Sequence, residues 1–248
     1  ANAIVRGRVP HAFLFTGPRG VGKTTSARVL ARALNCTGRP LPQTSTDLSE
    51  AQARKLVEPC GECVNCREIA KSCSVAVWEI DGASNNSVDN VRELIDSLKT
   101  LPPPGSHYKI YIIDEVHMLS VAAFNALLKS LEEPPPNTIF VFATTEPHKI
   151  PETVISRCQR HDFIRIAPEV ISARLQEIAQ LEGIILEDGV CEFIARKAEG
   201  GMRDAQSMLD RLIAFSLDSI SLSTVQRVFG AVDCSHFIHQ TEAVLSGD

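Results

Sequence analysis

The chain has 248 residues, 44% of them apolar and 22% charged, which is a globular composition with length for one large or two modest domains. Its 25 basic residues against 30 acidic give a net charge of −5, and aromatics make up 5%, so it is neither a polycation nor a base-stacking nucleic-acid reader. No apolar run approaches the about 18 residues of a membrane span, and Ala1–Pro10 lacks the apolar stretch of a signal peptide, so neither a membrane nor a secreted class is expected.

In chain order, Ala12–Thr16 (AFLFT) reads as a buried strand and Gly17–Gly22 as a glycine-rich turn. Lys23–Asn35 reads as a helix with Ala27, Leu30, Ala31 and Leu34 on one face. Thr37–Pro59 is polar and reads as a surface insertion tied down at both ends by cysteine. Val75–Ile80 is a second strand and Val88–Leu98 a helix. Lys109–Ile113, Thr138–Ala143 and a shorter Phe163–Ile166 complete the strands, with a helix over Ala122–Leu131. Strands alternating with helices imply parallel βαβ units and an α/β sandwich. After residue 167 the rhythm changes. Val170–Gln180, Asp188–Ala198, Arg203–Phe215 and Ser221–Val228 carry helical periodicity with no convincing strand, so a small helical domain is expected. His236–Leu245 could begin one more helix.

Gly17, Pro18, Arg19, Gly20, Val21, Gly22, Lys23 and Thr24 fit G-x-x-x-x-G-K-[ST], with Thr25 directly after. Glycines let successive backbone N–H groups wrap a phosphate, the lysine reaches the β and γ oxygens, and the hydroxyl ligates Mg²⁺. The strand before the motif and the helix after it are the context such a loop needs. Asp114 and Glu115 close the apolar run Tyr111-Ile-Ile and supply the second half of the site: Asp114 to hold the metal through water, Glu115 to polarise an attacking water. Alone, such a pair is the usual chemistry of a solvated strand end. Thr144 and Thr145 follow strand Thr138–Ala143 and are either further polar groups of the site or turn threonines before Glu146-Pro147. Arg157 sits between Ser156 and Cys158. Arg203 stands in the first turn of a helix, where it opposes the helix dipole. Both also fit ordinary surface arginines with Glu152 or Asp204 nearby.

The 8 cysteines are unevenly placed. Cys60, Cys63 and Cys66 crowd together, with Cys36 upstream and Cys73 downstream as rival fourth ligands, while Cys158, Cys191 and Cys234 are scattered. Four thiolates suit a closed, structural Zn²⁺ site better than an iron–sulfur cluster or a redox pair.

The segments HAFLFTGPRGVGKTTSARVLARALNC, CGECVNCREI, YIIDEVHMLSVAAFNALLKSLEEPP, FATTEPHKIPETVISRCQ and EGGMRDAQSMLD together resemble the bacterial DNA polymerase III gamma/tau subunits, the clamp-loader ATPases of the AAA+ superfamily. The likeness runs from about His11 to Gly230. It implies an AAA+ (RecA-like) parallel-sheet P-loop domain over residues 1–167, with an inserted zinc knuckle at about 36–73. A small all-helical lid would span 168–230, and 231–248 would begin a C-terminal collar domain. Further residues ahead of Ala1, including part of the adenine pocket, belong to the family pattern. By the same resemblance Lys23 and Thr24 form the Walker A pair and Asp114 and Glu115 the Walker B pair. Thr145 is sensor 1, Arg203 is sensor 2, and Arg157 is an arginine finger acting on the neighbouring subunit. Cys36, Cys60, Cys63 and Cys66 are then the zinc ligands, and ATP and Mg²⁺ the other cofactors.

The implied function is a DNA-stimulated ATPase within the cytoplasmic, nucleoid-associated replisome, loading a sliding clamp onto primer–template DNA. Its partners would be delta, delta-prime and further gamma/tau copies, together with the clamp and DNA, with no membrane. Ser84, Asn85, Asn86 and Ser87 are candidate DNA contacts or an ordinary N-cap loop. Met118, Leu119 and the helix Ala122–Leu131 are a candidate clamp contact, with core packing preferred for most positions. Another AAA+ motor of DNA metabolism, or a non-hydrolysing scaffold subunit, is the alternative.

Overall fold

Runs of β-branched and aromatic residues, separated by amphipathic helices, can bury both faces of a sheet only when the crossovers are helical. The computed structural model describes residues 2–39, 50–98, 100–215 and 219–230, in two units. The first comprises residues up to Pro18 and Gly22–Phe163; the second comprises Arg19–Val21 and the residues from Ile164 onward.

The first unit runs α1 (Asn2–Val5), β1 (Ala12–Thr16), α2 (Lys23–Asn35), α3 (Glu50–Val57), α4 (Val64–Ala70), β2 (Val77–Asp81) and α5 (Val88–Leu98). It continues through β3 (Lys109–Asp114), α6 (Val121–Glu132), β4 (Thr138–Thr144), α7 (Glu152–Ile155) and β5 (Gln159–Asp162). Among the described residues the sheet is parallel, five-stranded and ordered β2-β3-β4-β1-β5. Period-two alternation splits its core between the two faces. Leu14, Tyr111, Ile113, Phe140 and Phe142 pack with Leu94, Phe124 and Leu127 of α5 and α6. Phe13, Phe15, Ile110, Ile112 and Val141 pack instead with Ala27, Ala31 and Leu34 of α2. Each fully buried large side chain contributes about 1.5–3 kcal/mol, so β1, β3 and β4 fix the strand ends that carry the polar residues. In the parallel register Thr16 pairs with Thr144 and Asp81 with Asp114, which gathers these polar residues at one end of the sheet.

The second unit contains α8 (Pro168–Glu182), β6 (Ile185–Leu186), α9 (Val190–Lys197), α10 (Met202–Phe215), β7 (Ser219–Ile220) and α11 (Leu222–Phe229). Ile171, Leu175, Ile194, Leu209, Leu212 and Val225 form its core. Among the described residues no helix is long and apolar enough to cross a membrane.

Three sequence expectations need correction. The fifth strand is β5, Gln159–Asp162, and not Phe163–Ile166. Phe163 packs with the first unit's core, Ile166 with the second unit's, and Ile164 is exposed, so the apolar residues serve different neighbours and not one strand face. The second strand starts at Val77, because Ser74–Ala76 form a turn in which Ser74 O accepts the Val77 N–H. The second unit is not strandless: β6 and β7 pair in parallel, with two residues each. The Thr37–Pro59 excursion contains α3, which packs beside α1. The remainder of that excursion over 40–49, and the expected helix His236–Leu245, lie outside the described residues.

Candidate functional site

The loop from β1 to α2 closes over backbone that only glycine accommodates at its first position. Gly17 has φ +147°, and a Cβ there would come within 2.3 Å of Phe163 O. Gly22 caps α2 in the left-handed region at φ +95°. The first intrahelical bond of α2 runs from Ser26 N to Gly22 O, which leaves the Lys23, Thr24 and Thr25 N–H groups ahead of it. Lys23 is 6% exposed, and its Nζ donates to Gly17 O and Pro18 O, each at 2.8 Å. Burial lowers the Lys23 pKa, and the charges of Glu115 and Asp114 act against that shift.

Thr24 Oγ1 donates to Asp114 Oδ2 at 2.7 Å, joining α2 to the end of β3. The next residue, Glu115, turns the chain in the left-handed region at φ 44°, a conformation that costs a non-glycine residue about 1–2 kcal/mol. That turn directs the acid beside β4, where Thr145 donates to Glu115 Oε2 from both its N–H at 3.3 Å and its hydroxyl at 3.0 Å. Lys23, Thr24, Asp114, Glu115 and Thr145 are thus brought together from three segments remote in sequence. Thr16 adds a bond to Asp162 of β5 at the same strand end.

Arg157 donates from Nη2 to Glu132 Oε1 at 2.7 Å and from Nη1 to Thr153 O at 2.7 Å. Its acidic partner is therefore Glu132 of α6, and not the neighbouring Glu152. Arg203 is exposed in the first turn of α10. Within the second unit, Met202 N donates to Gly20 O at 2.9 Å, so the residues 19–21 meet the start of α10.

The sulfurs of Cys36, Cys60, Cys63 and Cys66 all lie within 4.8 Å of one another. The Cys60, Cys63 and Cys66 N–H groups donate to the sulfurs of Cys36, Cys60 and Cys63 at 3.3–3.4 Å, which favours thiolates. Burial acts to raise the Cys63 thiol, but donors from Cys66 and Thr37 outweigh it and bring it to about 5. Burial pushes the more enclosed Cys66 up to about 12. Cys73 is exposed, and its Sγ donates to Glu68 O. Four convergent sulfurs with N–H donors behind them are a donor set for tetrahedral Zn²⁺.

The Ser84–Ser87 groups are engaged locally. Ser84 Oγ donates to Asp81 Oδ2, Asn85 Nδ2 donates to Asp81 O, and Ser87 Oγ accepts from Asn90 N at the start of α5. In α6, Ala123, Phe124, Leu127 and Leu131 are buried, as is Leu119, while Met118 and Val121 are exposed. Sequence reasoning missed His117, whose side chain touches Glu115, Thr144 and Glu146. Its place three residues after Asp114 was the available signal.

Residues 1–167 match the family model described as DNA polymerase III, delta subunit, and residues 170–218 the one described as DNA polymerase III clamp loader subunit, ATPase lid domain. The DNA polymerase III subunit tau of Bacillus subtilis is 48% identical over 231 residues, covering 93% of this chain and 38% of the relative. Its Escherichia coli counterpart is 41% identical over 248 residues, covering 100% of this chain and 36% of that one. The chain belongs to the DNA polymerase III gamma/tau family. A gamma/tau subunit of Mycobacterium tuberculosis is 39% identical over 99% of this chain and 40% of its own length. The chain therefore spans well under half the length of these relatives. Among solved structures, the Thermotoga maritima RuvB Holliday junction branch migration motor matches with a TM-score of 0.60 at 20% identity, covering 91% of this chain and 63% of that one. At that identity the likeness shows the fold alone: the AAA+ sheet with a helical lid.

Proposed function

We propose that this gamma/tau family chain is the ATP-binding and ATP-hydrolysing motor portion of a bacterial clamp loader, which opens a sliding clamp and loads it onto primer–template DNA. The observation that carries the reading is the meeting of Lys23, Thr24, Asp114, Glu115 and Thr145 at one end of the sheet. Phosphoryl transfer is mainly positioning and charge neutralisation, and this constellation offers both. Backbone N–H groups of Gly20–Thr25 take the phosphates, and Lys23 exchanges its loop carbonyls for β and γ oxygens. Thr24 and Asp114 would hold Mg²⁺, which supplies charge neutralisation on the phosphates. Glu115 polarises the attacking water, and Thr145 orients that carboxylate.

Residues 1–167 form the nucleotide-binding domain, with a zinc module at about 36–73; residues 168–230 form the lid, and 231–248 begin the collar. Arg203 reads the nucleotide from the lid. Arg157 leaves Glu132 to complete the site of a neighbouring subunit, so hydrolysis depends on assembly with delta, delta-prime and further gamma/tau copies. Cys36, Cys60, Cys63 and Cys66 hold a structural Zn²⁺ that fixes the knuckle and performs no chemistry. The working location is the cytoplasmic replisome.

The test is steady-state ATP turnover by the full-length protein assembled with its loader partners, with and without clamp and primed DNA. Glu115→Gln should retain ATP binding and lose about 10²-fold or more in turnover. Arg157→Ala should abolish stimulation by clamp and DNA while ATP still binds. Turnover indifferent to clamp, DNA and Arg157 would remove the loader reading.

A further inference from the structure

His117 lies on the 3₁₀ turn Val116–Met118, directly behind the Asp114–Glu115 pair. Its side chain is 6% exposed, and both ring nitrogens are engaged. Nδ1 is 3.0 Å from Thr144 Oγ1 and 3.4 Å from Glu115 Oε2. Nε2 is 3.2 Å from Glu146 Oε1. Imidazole carries its nitrogens on opposite sides of a rigid ring, so one residue meets two carboxylates at a fixed separation.

The contacts on Glu115 converge on a single oxygen. Thr145 N, Thr145 Oγ1 and His117 Nδ1 all approach Oε2, which sets the rotation of the carboxylate as well as its place. On the far side, Glu146 bonds Lys149 Nζ at 2.9 Å and lies 3.6 Å from His148 Nε2. Glu146 N also donates to Thr144 Oγ1 at 3.0 Å, which holds the segment after β4 to the same ring. A line of polar contacts therefore runs from exposed Lys149 through Glu146 and His117 to Glu115.

We propose that His117 is a positioning residue: together with Thr145 it fixes the Glu115 carboxylate, and it couples that carboxylate to Glu146 on the segment that follows β4. The inference rests on the reading of Glu115 as the water-polarising group. Movement of the segment that follows β4, exposed at His148 and Lys149, is transmitted by the ring to the acid. A buried histidine serving only packing would stabilise this corner without acting through Glu115, and the two roles separate experimentally.

The experiment is a double-mutant cycle in the assembled full-length protein, with kcat and KM for ATP, nucleotide binding and thermal melting measured for each variant. His117→Ala should lower kcat by about ten- to a hundredfold with KM and nucleotide binding unchanged. His117→Gln, which keeps a polar group on the ring's track, should recover part of that loss. Glu146→Gln should give a smaller loss in the same direction. In the Glu115→Gln background, His117→Ala should cost nothing further. Wild-type or raised kcat in His117→Ala would overturn the proposal. So would an equal loss in the Glu115→Gln background, or a loss tracking nucleotide binding or melting temperature. If Glu115→Gln itself retains turnover, the reading of Glu115 falls, and this coupling falls with it by a distinguishable route.

Discussion

The two polar regions of the first unit use hydrogen bonds in opposite ways. At the strand ends the bonds that tie one segment to another include side-chain pairs: Thr24 with Asp114, Thr145 with Glu115, His117 with Thr144. Beside the cysteine cluster they run mostly from side chain to backbone. Asn35, fully buried, accepts from His107 N and Tyr108 N and donates to Tyr108 O. Asn65, between Cys63 and Cys66, donates to Asn35 O and Gly105 O. A side-chain pair can be exchanged for a ligand without disturbing the fold, because each partner stays hydrated or repaired. A buried backbone N–H that loses its only acceptor has no such recourse. The first region is built to exchange partners, the second to keep them.

Perturbing the cysteines should produce the largest effect. Cys66→Ser, or treatment with a zinc chelator, should reduce amide exchange protection over 60–70 by at least about 3 kcal/mol, because metal binding and local folding are one equilibrium. Unchanged protection would mean that the knuckle is held by packing alone. Next comes Asn35→Ala, which removes the buried side-chain acceptor shared by the His107 and Tyr108 N–H groups and should cost about 1–3 kcal/mol, read as faster exchange at His107 and Tyr108. The smallest effect belongs to Asp114→Asn, which keeps the shape at the end of β3. Its cost to stability should stay under about 1 kcal/mol in urea unfolding, although ATP binding with Mg²⁺ weakens. A loss as large as that of Asn35→Ala would mean that the strand ends are scaffold too, and the contrast between the regions would collapse.

Legibility in the sequence follows the same division. The β1–loop–α2 unit was readable because glycines at fixed offsets, an apolar run and a helical period converge on one stretch. Asp114 and Glu115 were readable because an apolar strand ends in them. The cysteine cluster was readable from spacing, the resemblance points to Cys36 over Cys73, and the four sulfurs that converge include Cys36. Strand β5 was misplaced because an exposed edge strand, Gln159–Asp162, carries no apolar signature, whereas Phe163 and Ile166 do. Strands β6 and β7 are too short for any period to register. Arg157 gave no sign of Glu132, 25 residues earlier, and neither Asn35 nor His117 announces partners fixed by β3, β4 and their loops.

Among the described residues, the order β2-β3-β4-β1-β5 leaves β2 and β5 each with one margin unpaired by another strand. An open margin is a template on which a foreign strand can polymerise. Here β2 presents Glu79 and Asp81, with Glu79 in a bidentate pair with Arg28, and β5 presents Arg160 and Asp162, paired with each other. An incoming strand would have to desolvate fixed charges at either margin before gaining a single ladder bond. Both margins are thereby made poor templates for strand addition between copies of this chain.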